Sequence, residues 1–214
     1  MNNIPNTLFD NWAKSYERTI AKHQDTYPFA GYFDVINHLR GEIQAYYSTP
    51  SILDIGVGTG YMLNKISEGL TADYFGVDFS SEMLNIAASK LDGNRLLYWD
   101  ISNETIPPPI ANRKFDFIIS AYTLHHFDTV EKLKIIRNYK KLLNTSGQMM
   151  IVDISFDSIF EREQIKAKAG KNWDSSEEKG YFIAPEFLNH VQQLDWHITY
   201  LRVSFCLGVF IILV

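Results

Sequence analysis

The sequence predicts an α/β fold: a doubly wound, mostly parallel sheet of seven strands with an antiparallel strand at its C-terminal end, preceded by a helical cap over residues 1–50. Three observations predict it. From Ser51 onward, apolar strand-like runs alternate with helical segments, the pattern of a parallel sheet with right-handed crossovers. A glycine-rich turn closes the first of those runs and opens a helix. Ahead of Ser51 the strand–glycine pattern is absent, and apolar residues recur at helical spacing.

The 214 residues suit one domain and can bury a sizeable core. Hydrophobic content of 46% and aromatic content of 14% belong to a globular chain rather than a disordered one. The net charge of −5 comes without any block of lysines and arginines, so a nucleic-acid partner is not expected. The single cysteine, Cys206, allows no intrachain disulfide and fits a reducing cytoplasm. No signal peptide is evident at the start. The apolar run FCLGVFIILV is too short to span a bilayer and reads as a strand, so no membrane association is expected.

In chain order, Leu8, Trp12, Ala13, Tyr16 and Ile20 share one helical face, with Asn6 or Thr7 as cap. A second helix is expected over 31–47. These aromatics are either core or a lid over whatever the glycine turn binds. Then comes Ser51–Tyr61, SILDIGVGTGY. Ile52, Leu53 and Ile55 suit a strand buried on both faces. Gly56, Gly58 and Gly60 allow a tight turn and close backbone approach by a ligand.

Asp54 decides between ligands. A pyrophosphate here would meet a carboxylate, at a Coulomb cost. The dinucleotide fingerprint also requires glycine where Tyr61 stands. S-adenosylmethionine (AdoMet) instead presents an ammonium and a sulfonium, which suit Asp54. Its carboxylate suits the glycine backbone and the following helix start.

The second strand, about 74–77, ends in Asp78, 20 residues after Gly58 and placed to accept from ribose hydroxyls. A helix follows from Ser80 or Ser81. The third strand, about 95–99, ends in Asp100-Ile101, where a carboxylate and an amide can pair with adenine; Asp100 as a plain turn cap is the alternative. The fourth strand, Phe115–Ala121, is followed by Tyr122-Thr123-Leu124-His125-His126. Either histidine can take an acceptor proton, or hold a loop, or pack under the cofactor. A helix over 129–143, a turn at 144–147 and a fifth strand over 148–154 come next. Residues 155–183 break the alternation as a substrate-side insertion. A helix over 184–194 and two strands, 196–204 and 209–214, complete the sheet.

The motif D-x-G-x-G-x-G, with the two later aspartates in register, resembles the class I AdoMet-dependent methyltransferases across about residues 51–154. The resemblance implies a Rossmann-like domain over 51–214. It implies Asp54, Gly56 and Gly58 at the methionyl end, Asp78 at the ribose, Asp100 and Ile101 at the adenine, and Phe79 and Ser120 among the cofactor-binding residues. The product would be S-adenosylhomocysteine. Ser120-Ala121-Tyr122-Thr123 departs from the D/N-P-P-Y of the amide and amine N-methylating branches, which argues against adenine or glutamine side-chain methylation. LFDNWAKSYERTI and WDSSEEKGYF are similar to the YrrT-like group of bacterial methyltransferases, and related enzymes imply Tyr16 as a lid residue. The expected function is methyl transfer from AdoMet to a small-molecule acceptor, with His125 or His126 as base and no metal. The rivals are a nicotinamide oxidoreductase, an AdoMet-binding regulator without turnover, and methylation of RNA or protein.

Overall fold

A computed structural model describes residues 12–46 and 48–213. The expected caps Asn6 and Thr7, with Leu8, lie outside the described residues. The sheet runs in the order β3-β2-β1-β4-β5-β8-β7. Its strands are β1 (Ser51–Ile55), β2 (Asp73–Asp78), β3 (Leu96–Tyr98), β4 (Phe115–Ala121), β5 (Leu143–Phe156), β7 (Ile198–Arg202) and β8 (Leu207–Leu213). β1 to β5 pair in parallel, whereas β8 runs antiparallel between β5 and β7. The sheet is therefore mixed only at its C-terminal end, as expected. The apolar C-terminal run is an interior strand, with Leu207, Val209, Phe210 and Ile212 buried.

Two departures concern β5. It extends past residue 154 to Phe156, where it pairs with an unexpected two-residue strand, β6 (Phe182–Ile183). β6 brings the strands to eight among the described residues. At its start, the expected turn Asn144–Gly147 is absorbed as an irregularity: Leu143 pairs with Phe115, and Gln148 with Phe117.

The helices are α1 (Tyr16–Lys22), α2 (Tyr32–Tyr46), α3 (Tyr61–Ser67), α4 (Ser81–Ala87), α5 (Thr129–Lys140), α6 (Ile159–Ala169) and α7 (Ala184–Gln192). Their starts follow local chemistry. The Ser80 Oγ accepts from the Met83 amide to cap α4, Asp128 and Glu131 form a capping box on α5, and Ser158 caps α6. Pro185 sits in the first turn of α7, where its missing N–H costs nothing.

One apolar layer joins α1 and α2 to the sheet: Ile20, Phe29, Leu39 and Ile43 pack in the same cluster as Ile52, Val152 and Leu207. The other layer, with Leu53, Ile135, Phe187 and Phe210, lies on the opposite face. Segment 23–31 is tied down by polar contacts. The Tyr122 hydroxyl donates to the Pro28 carbonyl at 3.0 Å and the Ser204 hydroxyl to the Ala30 carbonyl at 2.6 Å. The Tyr27 and Tyr181 hydroxyls meet at 2.6 Å.

The insertion is clamped at Gly180. Buried Lys132 of α5 donates to the Gly180 carbonyl, and a Cβ at Gly180 would overlap the His125 carbonyl. Replacing Gly180 with alanine should therefore destabilise the fold by about 1–3 kcal/mol, the usual cost of overpacking, read as a lower urea midpoint.

Candidate functional site

The carboxyl ends of β1, β2 and β4 open into one cleft of about 1780 Å³. Parallel strands place ligand-binding loops at this edge. At one end lies the glycine turn. Gly56, Gly58 and Gly60 all have positive φ, at 81°, 53° and 72°. A Cβ on Gly56 would strike Thr123, while the space beside Gly58 is open. Their amides are not free, however. Gly56 and Val57 donate to the Val77 carbonyl, Gly58 to Asp78 Oδ2 at 2.8 Å, and Gly60 to the Val57 carbonyl. At these four positions the turn supplies room rather than donors. The polar group it leaves over is the buried Thr59 hydroxyl, which lines the cleft and has no hydrogen-bond partner among the described residues.

Asp54 is 1% exposed, and its Oδ1 likewise has no hydrogen-bond partner. Burial, then the nearby Asp78 charge, pushes its carboxyl up from 3.8 to about 8. A carboxylate in this position calls for a cation. Asp78 is held differently: its Oδ2 accepts from Gly58 and its Oδ1 from the Ser80 amide at 2.9 Å, fixing its direction. Asp100 is exposed and caps its own turn, accepting from the Ser102 amide and hydroxyl. Tyr16, Phe79, Asp100 and Ile101 line the same cleft. Ser120 does not. It is fully buried within β4, and the lining at this strand end comes from Ala121, Tyr122 and Thr123.

Tyr16 lies edge-on to Trp12 at 4.7 Å and to Phe29 at 6.2 Å. Its hydroxyl is pushed up by burial and by Asp153, Asp54 and Asp78. Tyr122 has φ +52°, a conformation that costs an aromatic residue energy. It is held there by its amide on the Val152 carbonyl and by contacts with Phe29 and Tyr32.

The other wall is a polar cluster. Asp153 of β5 is fully buried and accepts from the His125 amide at 3.1 Å, the Ile154 amide at 2.8 Å and the His125 ring at 2.6 Å. His125 Nε2 lies 3.4 Å from Glu177 Oε2, and His126 Nδ1 lies 3.0 Å from Glu177 Oε1. Burial lowers the pKa of His125, but Asp153 and then Glu177 outweigh it and hold the ring up at about 10. Burial and the neighbouring His125 push His126 down. Asp153, Glu177 and Tyr27 were not singled out from sequence. The available signal was a lone charge in the apolar run MMIVDISF.

A methyltransferase domain model matches residues 52–147. An uncharacterized methyltransferase of Alkaliphilus oremlandii is 30% identical over 169 residues, covering 78% of this chain and 75% of that one. The chain belongs to the class I S-adenosylmethionine-dependent methyltransferases. An uncharacterized methyltransferase of Anoxybacillus flavithermus is 31% identical over 157 residues. That match covers 70% of this chain and just under two thirds, 66%, of the relative. The solved DhpI–SAM–HEP complex has the same fold, with a TM-score of 0.67 at 17% identity, covering 96% of this chain and 94% of that one. Among the described residues of this methyltransferase, no helix is long and apolar enough to cross a membrane.

The site fits the family's cofactor on its own chemistry: a buried carboxylate oxygen lacking a partner, beside an open glycine position. One consequence is measurable. Asp54 binds its proton more tightly folded than unfolded, so the stability it contributes is full below about 3.8 and is lost as pH rises through about 8. Asp54→Asn should flatten the fall in thermal stability between about pH 4 and 8. Binding of S-adenosylhomocysteine at pH 7 should release up to about one proton, read by calorimetry in buffers of differing ionisation enthalpy.

Proposed function

We propose that this methyltransferase moves the methyl group of AdoMet to a small-molecule acceptor lying against the His125–His126–Glu177 wall. One observation carries the reading: the corner with the unmatched Asp54 carboxylate and the histidine cluster share one continuous cleft. AdoMet supplies an intrinsically reactive sulfonium methyl. Asp54 would pair with the ammonium, and the Thr59 hydroxyl would serve the methionyl carboxylate. Gly56 and Gly58 give the backbone clearance that both contacts need. Asp78, with Phe79 beside it, would hold the ribose, and Asp100 and Ile101 the adenine. Tyr16 would close over the cofactor from α1, so that residues 1–50 act as a lid on the domain formed by 51–214.

The insertion 155–183 brings Asp174, Glu177 and Tyr181 to the same cleft, which favours an acceptor small enough to be enclosed. Enclosure excludes water and aligns the acceptor with the methyl group, the two effects such a transfer most needs. His125 is held by Asp153 and Glu177 and His126 by Glu177, and both histidines line the part of the cleft where the acceptor would lie.

Asp54→Asn should weaken S-adenosylhomocysteine binding about 10- to 100-fold by titration calorimetry, the loss expected for one charge-assisted contact. Unchanged affinity would rule out the ammonium assignment. His126→Ala should leave that affinity intact yet lower conversion of AdoMet to S-adenosylhomocysteine at least ~100-fold, assayed over a panel of hydroxyl, amine and thiol acceptors.

A further inference from the structure

The acceptor wall gathers two imidazoles and a carboxylate whose donor atoms lie within 4.8 Å of one another. Glu177 reaches both rings, one oxygen 3.4 Å from His125 Nε2 and the other 3.0 Å from His126 Nδ1. Metal–ligand bonds of about 2.0–2.2 Å place neighbouring donor atoms roughly 2.9–3.4 Å apart, so these pairs already have the spacing of atoms sharing one ion. The outer half is also present. His125 gives its Nδ1 side to Asp153 at 2.6 Å, which fixes the ring and turns Nε2 toward Glu177. A buried carboxylate behind a ligand histidine is the usual orienting arrangement of metal sites.

We infer that His125, His126 and Glu177 form a binding site for one first-row divalent cation of the zinc or iron(II) type, its remaining positions open to the cleft. Two histidines and one carboxylate with open positions suit such ions, and not magnesium or calcium. The sequence reading assigned no metal ligand.

The inference rests on the methyl-transfer reading only for what the open positions face. There the ion favours an oxygen acceptor. A hydroxyl held at it would lose its proton to solvent more readily. Its lone pair would form the new O–C bond as the C–S bond breaks, and the electron pair would leave on the neutral thioether.

The test uses the full chain without a histidine tag, stripped of metal by chelator and then titrated with Zn2+ or Co2+. One equivalent should bind. X-ray absorption of the zinc-loaded chain should show a nitrogen–oxygen shell with scattering from two imidazoles. Glu177→Gln and His126→Ala should each weaken zinc binding at least ~100-fold. Asp153→Asn should weaken it ~10- to 100-fold, the cost usual for losing an orienting partner. His190→Ala, at an exposed histidine on α7, should change nothing. Glu177→Gln should still bind S-adenosylhomocysteine within about 2-fold, which reads the cofactor corner separately. No stoichiometric binding, an all-oxygen shell, or affinity that survives both ligand substitutions would overturn the site.

Discussion

A charge with no water on it must be matched by the protein, and Asp153 sits where water cannot reach. Its match is the loop after β4: the His125 amide and the His125 ring together satisfy it. The whole histidine wall hangs from that pairing. Locking His125 sets the distance to Glu177, which in turn holds His126. Glu177 belongs to the insertion, so a segment far along the chain from the glycine turn is positioned by one carboxylate of β5. Lys132 and the tight approach of Gly180 reinforce the same contact from α5.

Asp54 is the opposite case. It is as well buried as Asp153, yet its Oδ1 has no hydrogen-bond partner among the described residues, and the charge that acts on it is another carboxylate, Asp78. The chain tolerates this because the proton can stay on. The two buried aspartates thus differ in kind: Asp153 finds its partners within the protein, and Asp54 Oδ1 finds none among the described residues. Tyr122, in an unfavourable backbone conformation where the two ends meet, is kept there by packing from segment 23–32.

The glycine turn and its flanking aspartates were legible because they are local. Asp54, the three glycines and Asp78 fall within one strand–turn–helix–strand unit, and each obeys a rule that a single sequence displays. The alternation of strands and helices was legible for the same reason. Ser120 was misplaced because the family motif marks a strand end, whereas a residue at that end faces either the cleft or the core; here Ala121 to Thr123 take the cleft. The role of the glycine amides was invisible, since their acceptors on Val77 and Asp78 come from the next strand. The histidine wall needs contacts across 28 residues from His125 to Asp153, and more to Glu177. No periodicity reports such pairs. β6 has two residues, too few to show a pattern.

The length of β5 has a consequence of its own. Its first part is sheet scaffold, yet its last two residues, Ser155 and Phe156, pair with Phe182 and Ile183 rather than ending at the cleft edge. A single rigid strand therefore carries both the buried hub and the root of the insertion. Residues 157–181 leave and return at one short ladder, as a cartridge does in a socket. A change confined to that segment would leave the pairing of β5 with β4 and β8 in place.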